Sequence, residues 1–347
     1  MSSLPEHTAP PYPLLPHGGR LRAAAERYGI APEHWLDLST GINPRGWPVP
    51  EVPAAIWVRL PEDDDGLEQA AQTYYEAGHL LPVAGSQAAI QALPRLRPRS
   101  RVAVLDPGYA EHACAWRRAG HEITAVAAER VEEAMRSSDV VLLIHPNNPT
   151  GACFPVGQLL DWHARLAARG GWLVVDEAFM DVTPGHSLCR HTARPGLIVL
   201  RSLGKFFGLA GARVGFVCAQ PTLLARLRCL LGPWCVNAPS RWVAAAALTD
   251  HVWQESARRH LAAAGVRLHS LLARRGLAPD GGCAFFQWVR TPHAPALHEA
   301  LARHAILTRL FVDPCSLRFG LPGTEADWAR LERVLSLVSV KPAEATP

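Results

Sequence analysis

Five short apolar runs, at residues 102–105, 140–144, 172–175, 198–201 and 214–218, recur between stretches with helical spacing. None of the runs alternates apolar with polar residues. A strand exposed on one face alternates, whereas one buried on both faces reads as a continuous apolar run. Helical stretches at 87–97, 112–119 and 156–169 lie between them. The pattern predicts an α/β fold whose large domain holds a mostly parallel sheet covered by helices. After about residue 231 the rhythm changes. The stretch 239–250 and a long helix at 251–275 lead to a strand at 284–290, a helix at 295–303, strands at 306–308 and 317–320, and a helix at 325–337. That order predicts a smaller α+β C-terminal domain. The expected division is an N-terminal segment (1–45) near the small domain, a large domain (46–232) and a small domain (233–340). Residues 20–28 read as a short helix, the first 16 as irregular and Pro-rich, and the tail beyond Lys341 as disordered.

With 347 residues and 48% hydrophobic content, the chain can fill two cores. A formal charge of +4 without a basic run gives no case for nucleic acid or a membrane surface. The segment Met1 to Pro16 lacks the basic and apolar regions of a signal peptide. The eight cysteines form no Cys-x-x-Cys pair and no zinc spacing with histidine. Reduced thiols, no metal and a cytoplasmic location are the expectations.

The chemistry concentrates in a few strings. Arg201-Ser202-Leu203-Gly204-Lys205-Phe206-Phe207-Gly208 places a lysine just past an apolar run, beside a hydroxyl and two arginines, Arg201 and Arg213. A lysine flanked by cations has a lowered pKa and is more nucleophilic, so Lys205 suits imine formation with a phosphate-bearing aldehyde. Gly85-Ser86-Gln87 opens a helical stretch, and a helix start presents free N–H groups to a phosphate. Ser202 and Arg213 would reach the same phosphate. Asp176 ends the run before Glu177-Ala178-Phe179, and His145-Pro146-Asn147-Asn148-Pro149-Thr150-Gly151 follows another. Tyr109, in Asp106-Pro107-Gly108-Tyr109, is an aromatic at a strand end, with His112 as second choice for a ring contact.

In this order, these strings resemble the fold-type-I enzymes that use pyridoxal 5'-phosphate (PLP), over residues 17 to about 337. The resemblance implies that Lys205 holds PLP, that Asp176 keeps its pyridine nitrogen protonated, that Asn148 donates to its phenolic oxygen and that Tyr109 stacks on its ring. The family often has Tyr two residues after Glu177; Phe179 stands there, so that hydroxyl contact is missing. His17-Gly18-Gly19, residues 37–44, Arg201-Ser202-Leu203 and Pro233-Trp234-Cys235-Val236-Asn237-Ala238 resemble the threonine-phosphate decarboxylases of cobalamin biosynthesis. Histidinol-phosphate aminotransferases are close cousins. Those decarboxylases usually carry Asn where this chain has Gly41 and where it has Arg20. The resemblance further implies that Arg318 clamps a substrate carboxylate and that His17 and Arg309 hold a substrate phosphate, with Asn43 and Asn237 as neighbours. It also implies a homodimer acting on a small phosphorylated amino acid.

Residue types alone leave decarboxylation and transamination open. Both need an α-carbon joined to the ring, and the bond held out of the ring plane breaks. An inactive cofactor-binding subunit is a third possibility.

Overall fold

The structure, a computed structural model, describes residues 15–338. The readings for residues 1–14 and for the tail beyond Lys341 lie outside the described residues. Helix α1 (Leu21–Tyr28), a two-residue strand β1 (Leu36–Asp37) and helices α2 (Ala54–Trp57) and α3 (Leu67–Tyr75) lead into the main sheet. Its strands are β2 (Leu80–Val83), β3 (Arg101–Leu105), β4 (Glu122–Val126), β5 (Val140–Ile144), β6 (Trp172–Asp176), β7 (Leu197–Ser202) and β8 (Gly215–Cys218). They lie in the order β2-β8-β7-β6-β5-β3-β4. Only β8 runs antiparallel to its neighbours; the other adjacent pairs are parallel.

Helices α4 (Ser86–Ala92), α5 (Ala110–Arg118), α6 (Val131–Met135), α7 (Val156–Ala167), α8 (Leu203–Phe206) and α9 (Pro221–Leu231) connect these strands and follow the last. The continuous apolar runs serve two cores. Val102, Val104, Val140, Leu142, Val174, Ile198 and Leu200 face one side, under α4, α5 and α9. Ala103, Leu105, Val141, Leu143, Leu173, Val175, Leu197 and Val199 face the other, under α3 and α7. Fully burying one Val, Leu or Ile stabilises by roughly 1.5–3 kcal/mol. A one-residue slip would exchange every side chain between the faces, so this pattern fixes register.

The C-terminal part holds α10 (Ala238–Thr249), α11 (His251–Arg274), β9 (Gly281–Cys283), β10 (Phe286–Arg290), α12 (Ala294–Arg303), β11 (Ile306–Leu307), β12 (Arg309–Phe311), β13 (Ser316–Gly320) and α13 (Glu325–Val338). Four of these strands form an antiparallel sheet, β12-β13-β10-β9. The long helix starts cleanly because the Asp250 carboxylate accepts from Trp253 N at 3.0 Å.

The N-terminal segment ties the two sheets together. β1 pairs in parallel with β11, and Gly320 N donates to Leu38 O at 2.7 Å. A few residues on, Asn43 N donates to Lys205 O at 2.9 Å and Trp47 N to Phe207 O at 2.8 Å.

Several boundaries differ from the sequence reading. The helix expected over 87–97 stops at Ala92 and continues as a 3-10 turn, Leu93–Leu96, because Pro94 has no N–H to donate. The strand expected from 214 starts at Gly215, since Arg213 adopts a left-handed φ of 54°. β2, β4 and β12, and helices α3 and α9, lay outside the sequence reading.

Candidate active site

The C-terminal ends of the parallel strands converge on one cavity of about 140 Å³. Asp176 is the last residue of β6 and Ser202 the last of β7. Tyr109 follows β3 and Asn148 follows β5, while Ser86 and Gln87 open α4 and Arg213 precedes β8. With Lys205 on α8, all eight residues predicted to bind a cofactor line this cavity, along with Ile144, Ala178 and Phe179.

The cavity suits a small ring bearing a phosphate. Gly85, at φ 71°, lies under the Arg213 guanidinium; a Cβ there would sit 2.5 Å from Nη2. Only glycine lets a cation close over the start of α4, where Ser86 and Gln87 expose the first turn. The Ser202 hydroxyl, 3.3 Å from Gly204 N, stands beside it. The second arginine of the lysine string turns away. Arg201 is buried and pairs with Glu177 at 2.8 Å and Asp181 at 2.9 Å. Its absence from the cavity corrects the reading that two arginines flank Lys205.

Lys205 Nζ makes no hydrogen bond among the described residues and stands 5.7 Å from the Phe179 ring centroid. Burial first, then the Arg318 and Arg213 charges against the opposing pull of Asp176, lower its pKa to about 8. The result is an amine that is partly neutral near physiological pH.

The Asp176 carboxylate is fixed from two sides. His112 Nε2 donates to Oδ2 at 2.8 Å, and Ala178 N donates to Oδ1 at 3.1 Å. His112, 1% exposed, thus orients Asp176 instead of facing a ring in the cavity. This role escaped the sequence reading; the only signal was a histidine three residues past Tyr109. Tyr109 keeps the wall position. Its hydroxyl donates to Gln87 Oε1 at 3.3 Å, and burial, then Glu111 and Asp176, push its pKa up to about 12.

The predicted substrate residues divide into three groups. Arg318, on β13, donates from Nη1 to Asn148 Oδ1 at 2.5 Å and from Nη2 to Ser39 O at 2.7 Å. Because arginine only donates, Asn148 must turn its oxygen to Arg318 and its amide NH₂ the other way. His17 and Arg309 line a neighbouring hollow of about 360 Å³, which Ser39 also borders. Arg309 Nη2 donates to Pro16 O at 2.6 Å, and His17 Nε2 meets Glu111 Oε1 at 2.8 Å. Asn43 and Asn237 stand apart from both hollows. Asn43 Nδ2 donates to Phe206 O at 2.9 Å, bracing the backbone behind Lys205. Asn237 caps α10 by accepting from Ser240 N at 2.9 Å, on the exposed surface.

Gly41, one departure from the resembled pattern near Lys205, has a packing cause. A Cβ on Gly41 would lie 2.8 Å from Phe179 Cε1 and 3.1 Å from Phe286 Cδ1. Phe179 packs its ring edge-on to Phe286, with centroids 5.2 Å apart. Glycine at 41 therefore makes room for the aromatic rings at 179 and 286.

The chain is similar to known proteins over most of its length. A family model described as "Aminotransferase class I and II" matches residues 63–333. The chain is 58% identical over 322 residues to a threonine-phosphate decarboxylase from Pseudomonas aeruginosa, covering 93% of this chain and 97% of that one. It is 42% identical over 327 residues to a threonine-phosphate decarboxylase from Sinorhizobium sp, covering 92% and 97%. Among solved structures, histidinol-phosphate aminotransferase from Sinorhizobium meliloti in complex with pyridoxal-5'-phosphate superposes with a TM-score of 0.81 at 20% identity, covering 97% of this chain and 98% of that one.

Proposed function

The chain belongs to the aminotransferase class I and II family, and on that footing we propose that it is a PLP-dependent threonine-phosphate decarboxylase. It would convert L-threonine O-3-phosphate to (R)-1-amino-2-propanol O-2-phosphate in cobalamin biosynthesis. The observation that carries this reading is the pairing of two anion-receiving groups, Arg318 and the His17–Arg309 hollow, beside a lysine cavity that has its own phosphate cradle.

Lys205, Asp176, Asn148, Tyr109, Ser86, Gln87, Ser202 and Arg213 are the residues that would hold PLP. When bound, PLP supplies an aldehyde for the lysine and a ring that withdraws electrons from the substrate's α-carbon. Asp176, held by His112, presents a fixed anion to the ring nitrogen. Arg318 grips the substrate carboxylate with a planar guanidinium that matches it. His17 and Arg309 hold the phosphate at the other end. With both ends fixed, the angle at the α-carbon is set, and positioning of that kind is worth many powers of ten in rate. The Lys205 amine, or a water beside it, would return a proton to the α-carbon after carbon dioxide leaves.

A cytoplasmic homodimer and the three-part division at residues 45 and 232 complete the proposal. The exposed side chains of Trp57, Val58 and Leu60 give a second copy apolar surface to cover. No helix among the described residues is long and apolar enough to cross a membrane.

Incubation of purified protein with PLP and phosphothreonine tests the reaction. Stoichiometric carbon dioxide and aminopropanol phosphate are expected; amino transfer to 2-oxoglutarate without carbon dioxide would show an aminotransferase instead. The lysine makes a second prediction. Only the neutral amine attacks an aldehyde, so PLP uptake by apoprotein should accelerate about tenfold per pH unit and level off near the Lys205 pKa of about 8. Stopped-flow absorbance across pH 6–10 reads this, and a rate still climbing at pH 9.5 would contradict the lowered pKa.

A further inference from the structure

We propose that Arg20 and Arg309 act together as a dianion clamp, making Arg20 a specificity-determining residue for the substrate's doubly charged phosphate. The inference rests on the decarboxylase reading above and goes beyond it by adding a residue where the resembled decarboxylases carry Asn.

The hollow beside Arg318 is lined by five basic side chains, His17, Arg20, Arg27, His298 and Arg309, and by no carboxylate. Three of the five already have partners. His17 meets Glu111 at 2.8 Å, Arg27 donates to Glu299 at 2.9 Å, and His298 Nδ1 lies 2.8 Å from Thr308 Oγ1. Arg20 has no side-chain partner among the described residues. Arg309 has only the Pro16 carbonyl and the face of Phe311, 5.1 Å from its ring centroid.

Two guanidiniums therefore share one hollow without a counter-ion. The Arg20 charge reaches Arg309, whose pKa is lowered by burial first and by Arg20 second. The adjacent chain offers no relief. Arg20 stands at the N-terminus of α1, whose first turn contains no acidic residue and whose positive dipole end adds to the same charge. Like charges held this way lower their energy by sharing an anion with two negative charges. A phosphate monoester near neutral pH is such an anion, and guanidinium forks fit its oxygens. A substrate bearing a singly charged group in its place gains from one arginine and leaves the other unmatched.

The test uses PLP-loaded enzyme and its Arg20→Gln and Arg20→Lys variants. For Arg20→Gln the expected result is a rise in KM for phosphothreonine of about 10- to 100-fold, the range for loss of one charge-assisted contact. kcat should stay within about threefold, since the reacting carbon is held by other groups. Arg20→Lys, which keeps the charge without the fork, should recover part of the loss. In parallel, calorimetry with inorganic phosphate should show weaker binding to Arg20→Gln than to the parent. KM and phosphate affinity within twofold of the parent would overturn the clamp, as would a fall in kcat with KM unmoved. Should the parent release no carbon dioxide from phosphothreonine, the decarboxylase reading fails, while the phosphate calorimetry still decides the role of Arg20.

Discussion

Lys205→Ala enzyme should lose at least about four powers of ten in kcat, the upper range for removal of one acid–base group. On the proposed reading, two functions would disappear together: the amine that holds PLP, and a donor that returns a proton to the α-carbon. The same change should abolish the absorbance band near the visible edge that marks covalent attachment, even with PLP in excess. A retained band, or activity within a hundredfold of the parent, would place the covalent bond at another amine.

The loss of activity should come with a gain in apoprotein stability. Burial lowers the Lys205 pKa from 10.5 to about 8. The folded state therefore gives up the amine's proton more readily than the unfolded chain does. Below pH 8 both states are protonated and the folded state bears the full cost of the buried charge. As pH rises from 8 to 10.5 that cost fades, and stability of the parent rises. Removing the amine should stabilise apoprotein at pH 7 by up to about 3 kcal/mol, from roughly 1.4 kcal/mol per pKa unit. Lost packing of the lysine stem offsets part of this. Denaturant melts at pH 7 and pH 10.5 read the effect, which should shrink at the higher pH.

The central strands of the main sheet were legible in the sequence because both faces of each are buried. β3, β5, β6 and β7 bury both faces over four or more consecutive residues, and that demand leaves an unmistakable apolar run. The edge strands β2 and β4 were not legible, each for its own reason. β2 carries Pro82, which is tolerated where only one side must be hydrogen-bonded. β4 is Glu122–Val126, mostly exposed, with no apolar run to detect. Site residues that follow buried strands were legible on similar grounds. Asp176, Ser202 and Lys205 stand where a hydrophobic run breaks into polar chemistry. Contacts between distant segments were not. Nothing local to Arg201 says that it points at Asp181, or that His112 reaches Asp176 across 64 residues. The Gly41–Phe179 packing is likewise invisible until the rings are side by side.

Arg318 carries the second large effect. It is 6% exposed, yet its partners are neutral: Asn148 Oδ1 and the Ser39 carbonyl. Its Nε has no partner. Burial and then Arg309 lower its pKa to about 10, so the folded chain holds an unneutralised cation. A substrate carboxylate completes it. Replacing Arg318 by Gln should reduce kcat/KM by about 10²- to 10³-fold, within the 2–5 kcal/mol typical of a truncated buried charge pair. Arg318→Lys should recover little, because a point charge on a flexible stem does not reproduce the planar fork. The more telling readout is the product ratio. On the proposed reading, the guanidinium would fix where the carboxylate stands, and that placement would select loss of carbon dioxide. With the grip removed, a larger share of the residual turnovers should remove the α-hydrogen instead, seen as amino transfer to 2-oxoglutarate or as α-deuterium uptake from D₂O. A slowed enzyme with an unchanged product ratio would mean that Arg318 supplies affinity alone, and that the carboxylate's orientation is set elsewhere in the cavity.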